Sequence, residues 1–390
     1  MFRELISPRQ RRDFFYLTGC DLPDCAFIYS FKDQTTTLFI PDISPSSVIW
    51  SGLPISPTEA LATYDVDSVN YMSTLTSYLS SLGGTVYAIS NQYAHLPSTL
   101  QPSVTSLKSA IESCRVRKSP YEVALIRQAN TTTNVAHTAV MRAARTAATE
   151  RDLEALFINR CFLRDSPNQA YHSIVAAGTA AATLHYVNNR ASLKDKLNLL
   201  LDAGAEYRNY ASDVTRTFPI NGKFTPHSRQ IYDLVLKMQT ETIAMLKADV
   251  LWEDVHIHAH RVAIAGLLEL GILREGTVEE ILENRTSTAF FPHGLGHYLG
   301  LDTHDVGGHP NYEDKDPMFQ YLRIRGRIPE DSVVTVEPGI YFCEFIIEPF
   351  LKDDKHGRFI NRAVLDNYWS VGGVRIEGQP PSSSPSHRHH

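Results

Sequence analysis

The segment Leu199–Pro219, LLLDAGAEYRNYASDVTRTFP, sets two aspartates, Asp202 and Asp213, eleven residues apart in runs that otherwise read as buried strand. A buried carboxylate loses its hydration and is costly unless a cation or hydrogen bonds replace it. Read as a hairpin whose turn is centred between Tyr207 and Arg208, the segment brings Asp202 opposite Asp213. Directly opposed strand residues hold their Cβ atoms about 5 Å apart, where two bare carboxylates repel. A cation between them removes the repulsion; the plainer alternative is one aspartate in a turn and the other paired with Arg208 or Arg216.

Three further stretches carry donors of matching chemistry. FFPHGLGHYLGLDTHDVGG holds His293, His297 and His304, VVTVEPGIYF closes a β-branched run on Glu337, and VGGVRIE ends on Glu377. Carboxylates with one imidazole form an oxygen-rich set that suits Mn²⁺, or Co²⁺ and Zn²⁺ in vitro, better than a thiolate zinc site does. With so many anions, two metal ions about 3.5 to 4 Å apart fit better than one. The cysteines Cys20, Cys25, Cys114, Cys161 and Cys343 are odd in number and lack CxxC spacing, so neither a disulfide framework nor a zinc knuckle is indicated. His256, His258 and His260 are adjacent in sequence, but an i, i+2 step on a helix turns about 200°, so only His256 and His260 share a face and a structural role is expected. Gly294, Gly296 and Gly300 do not match GxGxxG; small residues there let backbone pass close to the pocket.

A chain of 390 residues, 43% hydrophobic, is long enough for two domains. Its 37 basic and 43 acidic residues give a net charge of -6 with no long block of one sign, which argues against a nucleic-acid partner. No apolar signal core or membrane-length run is present, so a cytoplasmic protein without membrane association is expected. Up to about residue 110, runs such as CAFIYSF and TTTLFIP alternate with Ser/Pro-rich segments, as in a small α/β domain. Ser119, Pro120 and Glu122 then form a helix start, Thr149 with Asp152 another, and Thr225-Pro226 a third, with Ile231, Leu234, Val235 and Met238 at helical spacing. The runs LNLLLDAGAEY, SDVTRTFPI, SVVTVEP, IYFCEFIIEPF and VGGVRIE read as strands. Helices and mostly antiparallel strands in separate runs predict an α+β fold over 111–377, and GQPPSSSPSHRHH (378–390) predicts a disordered tail.

The segments LHYVNN, LDAGAEYRNYASDVTRTFPINGKFTP, PHGLGHYLGLDTHDVGGHP, VVTVEPGIYF and GGVRIE, in this order, resemble the pita-bread metallopeptidases of the aminopeptidase P and prolidase branch. RQRRDFFYLTGCDLPDC resembles that family's small first domain. The resemblance implies Asp202 as a ligand of one metal, Asp213 and Glu377 as bridging ligands, and His297 and Glu337 as ligands of the other. It implies His185, His293 and Arg375 as substrate-binding residues, His304 as the group steadying the tetrahedral intermediate, and a homodimer. The implied reaction is hydrolysis of the bond before a penultimate proline, in longer peptides or in Xaa-Pro dipeptides, with two divalent ions, Mn²⁺ foremost. Glu337 would accept the water's proton and pass it to the departing nitrogen. The chain starts later and ends earlier than this family does, so a shortened N-terminal domain and a frayed Glu377 are also expected; a catalytically impaired binding module is the second reading.

Overall fold

The computed structural model of the chain describes residues 9–90, 92 and 101–378. It divides into two compact units, Met1–Arg115 and Val116–His390. In the first, helix α1 (Arg12–Thr18) stops at Gly19, whose left-handed φ of 63° lets its N–H return to Phe15. Strand β1 (Ala26–Ser30) pairs antiparallel with β2 (Thr35–Ile40), which pairs parallel with β3 (Ser68–Tyr71). Side chains alternate along β2, so Leu38 and Ile40 pack with Cys20 and Ala60 while Phe39 packs with Leu75 and Leu79. Helices α2 (Pro45–Ser51), α3 (Pro57–Thr63) and α4 (Leu75–Leu82) accompany this sheet, and α5 (Leu107–Val116) follows.

The second unit is where the candidate ligands lie. Helix α6 (Pro120–Ala143) opens with the expected capping box, Ser119 and Glu122 each bonding the other's main chain, and α7 (Glu150–Phe162) opens with the same device on Thr149 and Asp152. Their apolar faces, through Ala136, Val140, Leu153 and Phe157, cover one face of the sheet at Val175, Leu199 and Leu201. That sheet is antiparallel, with β5 (Asn198–Asp202) between β4 (Ile174–Ala177) and β8 (Thr215–Pro219). The hairpin tip is β6 (Glu206–Tyr207) with β7 (Tyr210–Ala211).

The hairpin register differs from the one expected. Tyr207 pairs with Tyr210 and Asp202 with Thr215, so the turn is centred between Arg208 and Asn209, and Asp213 no longer faces Asp202 directly. Arg208 and Asn209 have φ of 45° and 70°, the pair of positive values that a type I′ turn needs and that matches strand twist. Two-residue alternation still places Asp213 and Thr215 on the face of Asp202 and Leu200, so the shift by two positions preserves the side.

Helices α8 (Pro226–Met245) and α9 (Trp252–Glu269) build the larger core, where Ile231, Leu234, Val235 and Met238 meet Trp252, Phe290, Phe291, Ile340 and Val374. His256 and His260 are fully buried in it, bonded to Met318 O and Ser287 Oγ, while His258 meets Glu241 at the surface, as a structural role requires. After α10 (Val278–Glu283), β9 (Gly339–Tyr341) pairs antiparallel with β10 (Gly373–Arg375). Between them the expected strand IYFCEFIIEPF divides: Tyr341 ends β9, and Glu344–Lys352 is helix α11, followed by α12 (Asp354–Gly357) and α13 (Arg362–Leu365). SVVTVEP is not a ladder strand either; Val334 and Val336 make single bridges to Tyr298 and Gly378.

Glu377 is not on a frayed end. It is 1% exposed, its N–H donates to Thr215 O, and Gly378 bridges to Val336. The expected tail beyond Gly378 lies outside the described residues. Among the described residues no helix is long and apolar enough to cross a membrane.

Candidate metal centre

The five candidate ligands arrive from separate elements and meet on the sheet face opposite α6 and α7. Asp202 ends β5, Asp213 follows the hairpin tip, and Glu377 follows β10. His297 and Glu337 lie on two loop segments that run side by side, joined where Thr335 N donates to His297 O and Glu337 N donates to Leu295 O. The close approach depends on Gly296, because a Cβ there would fall 2.1 Å from Thr335 O.

Nδ1 of His297 donates to the carbonyl of Tyr298 at 2.9 Å, which leaves Nε2 as the lone-pair nitrogen. That nitrogen lies 3.3 Å from Asp213 Oδ2 and 3.5 Å from Glu337 Oε1. Asp213, His297 and Glu377 are buried and offer ligand atoms all within 4.8 Å of one another. Glu377 Oε2 accepts from Thr215 Oγ1 at 2.7 Å, whereas its buried Oε1 has no hydrogen-bond partner. An orphaned carboxylate oxygen of this kind is costly in a protein interior unless a cation faces it.

The electrostatics agree. Burial, then Asp202 and Glu337, push Asp213 well above the usual carboxylate range; burial, then Asp213 and Asp202, do the same to Glu377. Glu337 is pushed up to about 8 by burial and by Glu377. Burial holds His297 below its ordinary value. Carboxyls that resist ionisation together, beside a neutral imidazole, fit divalent metal, because the ion's charge removes both burdens.

Asp202 is held differently. The Tyr171 hydroxyl lies 2.6 Å from Asp202 Oδ1 and 2.5 Å from Asp213 Oδ1, so one proton serves two carboxylates. The Arg375 guanidinium donates to the other oxygen of Asp202, to Thr215 Oγ1 and to the Tyr341 hydroxyl. Tyr341 in turn bonds His293 Nε2 at 2.9 Å, and His293 Nδ1 donates to Gly294 O. Burial, then the charge of Arg375, push His293 down to about 3, so it is a neutral imidazole. Tyr341 thus links the Arg375 guanidinium to His293 by hydrogen bonds, while the charge of Arg375 acts on His293 as well. His185 and His304 are exposed, and the His304 ring stands 4.4 Å from that of His297 at 85°. His185 bears on the protonation of both His293 and His304, which puts the three histidines in one neighbourhood.

Tyr171, Thr215 and Tyr341 do not emerge from the sequence reasoning. Tyr171 sits in SPNQAYHS, which carries no motif, and only folding brings it to the aspartates; Thr215 and Tyr341 lie within the quoted LDAGAEYRNYASDVTRTFPINGKFTP and VVTVEPGIYF, where a local signal exists.

Residues 124–379 match the model of metallopeptidase family M24, and residues 7–87 match that of the aminopeptidase P N-terminal domain. A probable Xaa-Pro aminopeptidase of Botryotinia fuckeliana is 63% identical over 373 residues, spanning 95% of this chain and 81% of that protein. A probable Xaa-Pro aminopeptidase of Pyricularia oryzae is 60% identical over 378 residues, with the same 95% and 81% coverage. Among solved structures, aminopeptidase P from E. coli in its low-pH form superposes with a TM-score of 0.80 at 29% identity, covering 95% of this chain and 83% of that one. The zinc-substituted E. coli aminopeptidase P in complex with product gives 0.78 at 30% identity, with the same coverage. The chain belongs to metallopeptidase family M24, in its Xaa-Pro aminopeptidase branch, and is a hydrolase with the pita-bread fold.

Proposed function

We propose that this chain removes the N-terminal residue from peptides whose second residue is proline, using two divalent metal ions, Mn²⁺ foremost, held by Asp202, Asp213, His297, Glu337 and Glu377. The observation that carries this reading is the buried convergence of Asp213, His297 and Glu377 around an unpartnered Glu377 oxygen. The Xaa-Pro aminopeptidase names of the fungal relatives and the zinc and product of the E. coli neighbour support it. Divalent metal supplies Lewis acidity, which lowers the pKa of a water and polarises the scissile carbonyl.

The chain's own residues account for the remaining steps. Glu337, with Oε1 3.5 Å from His297 Nε2, would accept the proton from water and release it to the departing proline nitrogen. His304, exposed beside His297, is a neutral donor for the developing oxyanion. An imide to proline offers no N–H, so recognition falls to the ring and carbonyl, which His293 and His185 would contact. Arg375 acts one layer back, holding Asp202 and, through Tyr341, His293.

Xaa-Pro dipeptides, the prolidase substrates, are the second substrate class. The described free cysteines suit a reducing compartment such as the cytoplasm. A homodimer is the assembly we expect, and light scattering tests it. The binding-module reading is disfavoured because all five ligands are buried or half-buried together.

The test is release of the first residue from Xaa-Pro-Yaa peptides and of proline from Gly-Pro, with added Mn²⁺ and with chelator. Metal-dependent release is expected, faster on the longer peptide. Absence of cleavage by protein shown to hold metal would refute the reading.

A further inference from the structure

The loop between His297 and His304 is fastened on the side of the His297 ring away from Asp213 and Glu337. Asp305 N donates to Tyr298 O at 2.9 Å, the same carbonyl that accepts from His297 Nδ1. One acceptor therefore fixes both the His297 tautomer and the closure of the loop that presents His304. The Asp305 carboxylate is 2.9 Å from Lys118 Nζ, and both side chains are only 1% exposed. Lys118 immediately precedes the N-cap of α6, donates its N–H to Asp331 O, and its ammonium reaches Val116 O at 3.3 Å.

The loop crosses directly over this ion pair at Gly300, where a Cβ would fall 2.3 Å from Asp305 Oδ2 and 2.9 Å from Lys118 Cε. Gly300 O accepts from Ala211 N, on the hairpin arm that leads to Asp213, and Leu299 N donates to Val333 O, on the segment that leads to Glu337. Three of the segments that carry candidate ligands thus touch one small region built around a buried Lys–Asp pair.

A pair this deep is a weak source of net stability, since desolvation offsets its attraction, and leaving either partner unpaired would be costly. We propose that Lys118 and Asp305 are positioning residues for the reaction, which fix the orientation of the His297 and His304 rings relative to Asp213 and Glu337. The inference rests on the proposed peptidase reading for its kinetic consequence, and on the loop geometry alone for its spectroscopic one.

The experiment compares the wild-type protein with Lys118→Arg, Asp305→Asn and the near-isosteric, charge-free double variant Lys118→Met/Asp305→Asn. Each is measured for melting temperature, bound metal, kcat and KM on an Xaa-Pro-Yaa peptide, and imidazole ¹⁵N shifts of the metal-free protein. A misplacement of about 1 Å at a reacting group costs on the order of a hundredfold in rate. The expected result is a folded double variant with kcat reduced about tenfold to a hundredfold, KM within about threefold, and ¹⁵N shifts showing His297 no longer held as a single Nδ1–H tautomer. Lys118→Arg, which keeps the charge, is expected to retain more of kcat than the double variant. A folded double variant with unchanged kcat and unchanged His297 shifts overturns the proposal. Failure of the double variant to fold also overturns it, because the pair would then serve stability alone. Should the wild type itself not cleave the peptide, the peptidase reading fails, while the ¹⁵N comparison still decides the positioning role.

Discussion

At the scale of single residues, the centre combines groups that would be unfavourable separately. In metal-free protein burial, and then the charge of Glu377, push Glu337 up to about 8. Glu337→Gln keeps the shape and removes the proton acceptor, so kcat should fall by about a hundredfold or more, with a smaller change in peptide binding; retained turnover in steady-state assays would exclude the role. Tyr171 supplies one proton to Asp202 and Asp213. Tyr171→Phe removes the donor that the two share, while Arg375 still holds Asp202, at a cost of roughly 1–3 kcal/mol. The melting temperature of metal-free protein should therefore drop more than that of metal-loaded protein, which calorimetry on both forms checks. The aspartates, His297 and the glutamates were legible because each breaks a strand-like or glycine-rich run. Tyr171 and Thr215 were not, because a tyrosine or threonine in such surroundings has an ordinary packing role until the fold aims it.

At the scale of elements, helices with local start signals were readable and the strand pairings were less so. Ser119 with Glu122, Thr149 with Asp152, and Thr225 with Pro226 all cap where expected, since a cap is decided within about four residues. The hairpin register depends on which two residues take positive φ, and Arg208-Asn209 lacks the glycine that would announce it. Asn209→Val should lower stability by about 1–2 kcal/mol, read from urea midpoints, because a β-branched residue does not tolerate left-handed φ. The EFIIEPF run was misassigned because a short apolar stretch has no decisive period. It becomes helix α11, even with Pro349 inside it, once Ile347 packs into the larger core.

At the scale of the whole molecule, the histidines buried outside the centre make folding depend on pH. Burial pushes His137 and His256 down to about 4, from an ordinary value near 6.5. The unfolded chain therefore binds these protons first as pH falls. Their contribution is fully present above about 6.5 and is lost as pH drops toward 4, at roughly 1.4 kcal/mol per unit for each group. Glu337 carries the opposite sign in metal-free protein, since a raised carboxyl favours the fold at low pH and loses that contribution as pH rises through about 8. The clean measurement is the difference in urea midpoint between wild type and His256→Leu from pH 8 to pH 5; it should narrow as pH falls, and a constant difference would show that His256 protonates in place. Chelation should lower the melting temperature as well as activity, because a ligand bound only by the folded state stabilises it by mass action.

By itself the sequence determined the capped helices, the apolar run that becomes β5, and the presence of five candidate ligands in order along the chain. These are local properties, set by side-chain chemistry and by spacing within a turn or a strand. Tertiary structure alone decided that Asp202 leans on Arg375 and Tyr171, that Arg375 also bonds Thr215 and Tyr341, and that Lys118 meets Asp305 beneath Gly300. Such contacts join residues far apart in the chain, and their partners are selected by what else must be buried at the same place, which no window of sequence records.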